Sequence, residues 1–154
     1  MAVKLTPAEL RAWRAFLDAQ ASLLRRLGAD LVKEEDLTLP EYDVLVQLSF
    51  APDGRLRMTE LSDRVRLSPS GLTRLVDRLV RSGLVKRGRC ASDRRGTNAI
   101  LTSAGKVRLR RASPVHLRGI REHFSKRLSP AQLAAVAEAL EPLGRDMPLG
   151  VSSD

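Results

Sequence analysis

A mainly α-helical fold carrying one small β-hairpin is predicted by three features of this 154-residue sequence. Cap signals open several amphipathic stretches, Pro- and Gly-containing turns separate them, and one central segment bounded by glycines switches to residues that favour strands. With 43% apolar residues, the chain can bury one compact core and still carry a helical appendage.

The elements follow in order. Thr6-Pro7-Ala8-Glu9 is a capping box, and the stripe Leu10, Trp13, Leu17, Leu24, Leu27 and Leu31 carries a long helix to about Lys33. Leu39-Pro40 starts a short helix that buries Val44, Leu45 and Leu48 before Pro52-Asp53-Gly54 turns the chain. Thr59 is the expected cap of a third helix with Leu61 and Val65 turned inward. Ser68 and Pro69 open a fourth, which Gly83 stops, and its Leu72, Leu75, Val76 and Leu79 form an apolar face. Residues 84–87 read as a strand, 88–96 as a polar, Arg-rich tip, and 97–101 as the returning strand. Beyond Thr102 a helix groups Leu117, Ile120 and Phe124, with Pro114 expected to kink or interrupt it. Ser129-Pro130-Ala131-Gln132 then repeats the capping logic for a last helix with Leu133, Val136, Ala137 and Leu140 on one face.

Charge is unevenly spread. The net formal charge is +9, and residues 53–95 alone hold twelve basic side chains against five acidic ones. A block of this kind attracts a polyanion and offers partners to phosphates. Two short helices joined by a tight turn, the second exposing Ser70, Thr73, Arg74, Asp77, Arg78 and Arg81, suit insertion into the major groove of DNA. The hairpin that follows is a wing, and its tip arginines Arg89, Arg94 and Arg95, around Asp93, suit the electronegative minor groove or else form an ordinary solvated loop. The expected class is thus a winged helix-turn-helix domain flanked by N- and C-terminal helices.

Other chemistries lack residues. There is no Gly-rich phosphate loop, Gly-x-Ser-x-Gly elbow, His-Glu-x-x-His or Cys-x-x-Cys, so the expectation is not an enzyme and no cofactor. One cysteine, Cys90, excludes an intramolecular disulfide. The absence of a long apolar run and of an N-terminal apolar signal core points to a soluble protein of a reducing cytoplasm, with no membrane role. His116, Glu122 and His123 fall short of a metal-ligand set and read as surface residues.

Taken together, Met58-Thr59-Glu60-Leu61, Ser68-Pro69-Ser70-Gly71-Leu72-Thr73-Arg74-Leu75-Val76-Asp77-Arg78-Leu79, Gly83-Leu84-Val85, Asp93-Arg94-Arg95 and Leu101-Thr102-Ser103-Ala104-Gly105 resemble the MarR family of bacterial transcriptional regulators over nearly the whole chain. The wing signature, Asp-x-Arg followed by Leu-Thr-x-x-Gly, is its most specific part. The resemblance implies a homodimer with intertwined terminal helices on a pseudo-palindromic operator in double-stranded DNA, acting as a repressor released by a small effector. It implies that Ser68, Ser70, Thr73, Arg74 and Arg78 face the major groove, that Arg95 enters the minor groove, and that Asp93 orients the wing arginine. Within one chain of residues 1–154, residues 36–104 would form the DNA-binding part, and 5–34 and 105–146 the dimerisation helices. The apolar stripes of the terminal helices exceed what a winged domain of about 65 residues can cover, so they meet a second subunit or close on each other as a cap.

Family members respond to small aromatic anions, oxidants or metals. Here Trp13 and Phe16 either line a pocket for an aromatic or anionic effector, near the junction with the DNA-binding part, or belong to the dimer core. Cys90, flanked by Arg87, Arg89 and Arg94, is either an oxidisable thiol or a passive small residue, and it lies outside the first helix, where the family's peroxide-sensing cysteines lie. The alternative function is a winged-helix module binding RNA or a protein without operator specificity, although 3% aromatic residues argues against reading single-stranded RNA by stacking.

Overall fold

Long-range packing begins at the end of the first helix. The structure, a computed structural model, describes residues 4–90 and 93–144, with the side chains of 90–95 outside that description. Helix α1 (Pro7–Glu35) starts at the Thr6–Glu9 capping box, in which Thr6 N–H donates to Glu9 Oε2 at 2.6 Å and Glu9 N–H to Thr6 Oγ1 at 3.3 Å. It ends where Asp36 turns left-handed at φ 50°. Helix α2 (Leu39–Phe50) opens on a second capping box, Thr38–Glu41. After a turn at Pro52–Gly54 the chain forms strand β1 (Arg55–Arg57) and passes directly into helix α3 (Met58–Val65). Thr59 is therefore the second residue of α3 and not its cap, because β1 already delivers the chain to Met58.

The turn from α3 to helix α4 (Pro69–Arg81) is fixed by the buried Ser62, whose hydroxyl donates to Leu67 O at 2.7 Å. Arg66 there takes φ 54°. Strands β2 (Val85–Cys90) and β3 (Asp93–Leu101) run further toward the tip than residues 84–87 and 97–101 suggested, with an irregularity in their pairing between Arg89 and Cys90. The sheet is antiparallel in the order β1-β3-β2, with Arg55 opposite Ile100 and Val85 opposite Leu101. β1 escaped the sequence reading: three residues, two of them arginines, give no periodicity.

Helix α5 (Ser103–His123) runs through Pro114 without interruption. Pro114 is exposed, so the carbonyl it leaves without an intrahelical partner can turn to water. The buried face of α5 is Ala112, Val115 and Gly119, and Leu117 is exposed instead of joining Ile120 and Phe124. Close approach to α1 explains Gly119, since a Cβ there would lie 2.7 Å from Leu27 Cδ2. Polar ties flank that contact. Arg118 Nη2 meets Glu34 Oε1 and Oε2 at 2.6 Å, Arg108 Nη1 donates to Glu35 O at 2.7 Å, and His123 Nε2 lies 2.8 Å from Asp30 Oδ2. The two histidines are consequently half-buried and not surface residues: His116 packs against the Tyr42 ring at 4.7 Å.

Helix α6 (Pro130–Gly144) starts at the expected Ser129–Gln132 box and contributes no buried residue. The core lies between Leu31 and Val115, with Val44, Leu45, Leu48, Leu61, Leu72, Val76 and Leu79 almost fully buried. No helix among the described residues is long and apolar enough to cross a membrane.

Candidate nucleic-acid interface

α4 divides cleanly. Leu72, Leu75, Val76 and Leu79 lie in the core at helical spacing, which forces Ser70, Thr73, Arg74, Arg78 and Arg81 onto the exposed side. At the helix start, Ser68 Oγ accepts Gly71 N–H at 3.2 Å and lies 3.4 Å from Ser70 Oγ. Thr73 Oγ1 donates to Pro69 O at 2.9 Å, leaving its lone pairs as acceptors. Arg74 and Arg81 are exposed and make no salt bridge among the described residues.

Two ion pairs order the rest of this surface. Arg78 Nε lies 3.2 Å from Glu41 Oε1, and Arg87 Nη2 of β2 lies 2.8 Å from Asp77 Oδ1. The second pair ties the wing to α4. Burial pushes the Glu41 carboxyl up, but the Thr38 N–H, the Thr38 hydroxyl and Arg78 together outweigh it and hold the group below its ordinary value. Sequence reasoning missed both pairs. The Thr38-x-x-Glu41 spacing was a readable signal for Glu41, whereas its contact with Arg78 spans 37 positions and has no local signature.

The wing is latched at its base. Thr102 Oγ1 donates to Gly83 O at 2.7 Å, accepts Gly105 N–H at 3.0 Å, and Thr102 N–H donates to Leu84 O at 3.1 Å. Leu101-Thr102-x-x-Gly105 thus joins the end of β3, the start of α5 and the exit from α4. Arg89 is exposed and its backbone pairs with Thr97. The side chains of Cys90, Asp93, Arg94 and Arg95 lie outside the described residues, so the Asp93–Arg95 contact expected there does too.

Trp13 and Phe16 are close, with ring centroids 6.1 Å apart, and both are exposed. Phe16 lines an open apolar cavity of about 770 Å³ between α1 and α6, with Leu23, Phe124, Val136 and Leu140. At about 1.5 Å per residue Phe16 is roughly 22 Å along α1 from the core residue Leu31. No group of three or more metal-ligating side chains occurs among the described residues.

Comparison with known proteins adds an independent line. The MarR family model matches residues 35–96. The chain is similar to the YetL transcriptional repressor of Bacillus subtilis, at 34% identity over 55% of this chain, and spans about half (53%) of that relative's length. It is also similar to the crystal structure of AbsC, a MarR family transcriptional regulator from Streptomyces coelicolor, at 35% identity, TM-score 0.85, and 94% and 97% coverage of the two chains. Sco3205 from the same organism, a MarR family regulator solved in complex with DNA, matches at 34% identity and TM-score 0.86 over 94% of each chain.

Proposed function

This chain belongs to the MarR family of DNA-binding transcriptional regulators, and from that premise we propose that it binds a pseudo-palindromic operator as a homodimer and represses transcription until a small effector releases it. The observation that carries the reading is the exposed side of α4, where Ser68, Ser70, Thr73, Arg74 and Arg78 stand over a fully apolar underside. In this reading they enter the major groove. Arg89, Arg94 and Arg95 on the wing reach the flanking minor groove, and Asp93 orients Arg95. Repression is supported by the likeness to a named repressor.

The dimer reading rests on what one chain leaves uncovered. Trp13 is 54% exposed, Leu24 48% and Leu143 75%, and Phe16, Leu17 and Leu140 are exposed with them. Isolated subunits seldom leave so much apolar surface to water. We assign residues 36–104 to DNA binding and 5–34 with 105–146 to the subunit interface, of which 145–146 lie outside the described residues. Trp13 and Phe16 then fall on the interface side, where an aromatic or anionic effector would act by altering subunit geometry.

The test is selection of duplexes from a randomised pool, followed by affinity measurements on the selected duplex, a scrambled duplex, single strands and structured RNA at matched salt. The selected duplex should bind at least about 10³-fold tighter than the scrambled one. Equal binding to all four would overturn the proposal.

A further inference from the structure

We infer that Glu41 is a positioning residue for DNA reading: its carboxylate grips the Nε edge of Arg78 and leaves the two Nη groups aimed outward as a preset fork. The inference rests on the reading that α4 faces DNA, and it assigns a specificity role to a residue of a different helix.

The two oxygens of Glu41 divide the work. Oε2 accepts both the Thr38 N–H at 2.9 Å and the Thr38 hydroxyl at 2.8 Å, which fixes the plane of the carboxylate against the start of α2. Oε1 is turned across to Arg78 Nε at 3.2 Å. Only 14% of the Glu41 side chain is exposed, against 49% of Arg78, so the anchor is held and the reader is free to reach. An arginine on a helix surface otherwise samples many rotamers, and each one frozen on binding weakens the complex. A guanidinium bonded through Nε keeps four N–H donors on its Nη groups, which match the O6 and N7 acceptors of guanine.

Capping alone does not require this arrangement. At α1, Glu9 caps Thr6 with Oε2 alone, and at α6 the amide oxygen of Gln132 accepts the Ser129 N–H at 2.8 Å. An amide therefore suffices to start a helix in this protein, and the second, charged oxygen of Glu41 is surplus to the cap. Its position beside the DNA-facing surface has an electrostatic consequence as well. A carboxylate there opposes phosphate, so it weakens indiscriminate binding while guiding one selective contact.

Glu41→Gln can keep its one oxygen on the Thr38 cap only by setting its amide NH₂, a donor, against the Nε donor of Arg78. The experiment compares wild type, Glu41→Gln, Arg78→Ala and the double variant on the duplex selected by the wild-type protein and on its scrambled form. Circular dichroism and thermal unfolding of each variant verify the fold. Glu41→Gln should reduce the ratio of selected to scrambled affinity about fivefold to tenfold, the low end of what one base contact carries. Scrambled binding should tighten. In the Arg78→Ala background the same substitution should alter the ratio by less than about twofold, because the two act as one unit. A wild-type ratio in Glu41→Gln alongside a loss in Arg78→Ala overturns the inference, and so does an undiminished Glu41→Gln effect without Arg78. Arg78→Ala that matches wild type on both duplexes refutes the DNA-facing reading of Arg78 itself.

Discussion

Replacing Gly105 by alanine tests the latch at the wing's base. A Cβ at this position would lie 2.2 Å from Leu84 O, 2.6 Å from Leu101 Cδ1 and 3.1 Å from Leu84 C. The leucine methyl can rotate away, but the carbonyl is backbone, and it also accepts Thr102 N–H at 3.1 Å and Thr102 Oγ1 at 3.0 Å. Overpacking of this kind costs about 1–3 kcal/mol. Displacing Leu84 O weakens its bond from Thr102 N–H and its share of the Thr102 hydroxyl, which is divided with Gly83 O, about 2 kcal/mol in all. Alanine returns about 1 kcal/mol through its better helix propensity. The net expectation is a loss of about 2–4 kcal/mol, measured by urea unfolding at fixed protein concentration with the slope unchanged. Gly83→Ala is the control. Nothing lies within 4 Å of its added Cβ, so only its φ of 73° counts, at about 1–2 kcal/mol. Gly105→Ala less destabilising than about 0.5 kcal/mol, or milder than Gly83→Ala, would refute the close-approach argument.

A chain ended after residue 128, which removes α6, should lose the dimer that sedimentation of the intact protein is expected to reveal; an intact protein sedimenting at 17.0 kDa contradicts the interface assignment. Arg74→Ala should weaken binding to the selected duplex by about 1–3 kcal/mol and relax base preference at one symmetric pair of positions, whereas Arg95→Ala should weaken selected and scrambled duplexes alike. Titrations at several salt concentrations check both, and equal binding by both variants and wild type would mean that helix and wing do not face DNA. Burial lowers the His116 pKa from its ordinary 6.5, so as pH falls through that value the unfolded chain takes up the proton first. Stability from this group is full above about pH 6.5 and declines below it. His116→Phe should flatten the fall in urea midpoint between about pH 7.5 and about pH 5.5, and a variant that falls as steeply as wild type would exclude His116 as the source.

What the sequence discloses here is local. Thr6, Ser68 and Ser129 announce their helices because a cap and its partner lie within three residues of each other. Leu72, Leu75, Val76 and Leu79 announce the buried side of α4 because helical spacing alone sorts apolar from polar residues. The misread features depend on distant partners. His123 meets Asp30 across 93 positions and His116 packs against the ring of Tyr42, on another helix, so neither histidine neighbourhood could be deduced from its own helix. Pro114, expected to kink or interrupt its helix, does not interrupt it, and there the freed carbonyl can reach water. On the exposed side of α4 the residue types were legible, Asp77 among them, while the pairings of Glu41 with Arg78 and of Asp77 with Arg87 were not.

The sheet order β1-β3-β2 makes the wing a cantilever. β1 pairs with β3 at residues 98–100, opposite Arg57, Leu56 and Arg55, and outward from there β3 pairs with β2 alone among the described residues. Everything inboard is clamped to the core through Leu56, Ala99 and Leu101, all buried. Span and foundation are thereby uncoupled. Two residues added to each strand beyond Thr97 would lengthen the ribbon by about 7 Å, roughly two base-pair steps of duplex, and leave Leu56, Ala99 and Leu101 at its base in place. Reach along a nucleic acid is a dimension this architecture can adjust by insertion, one pair of residues at a time, while the clamped end keeps its aim.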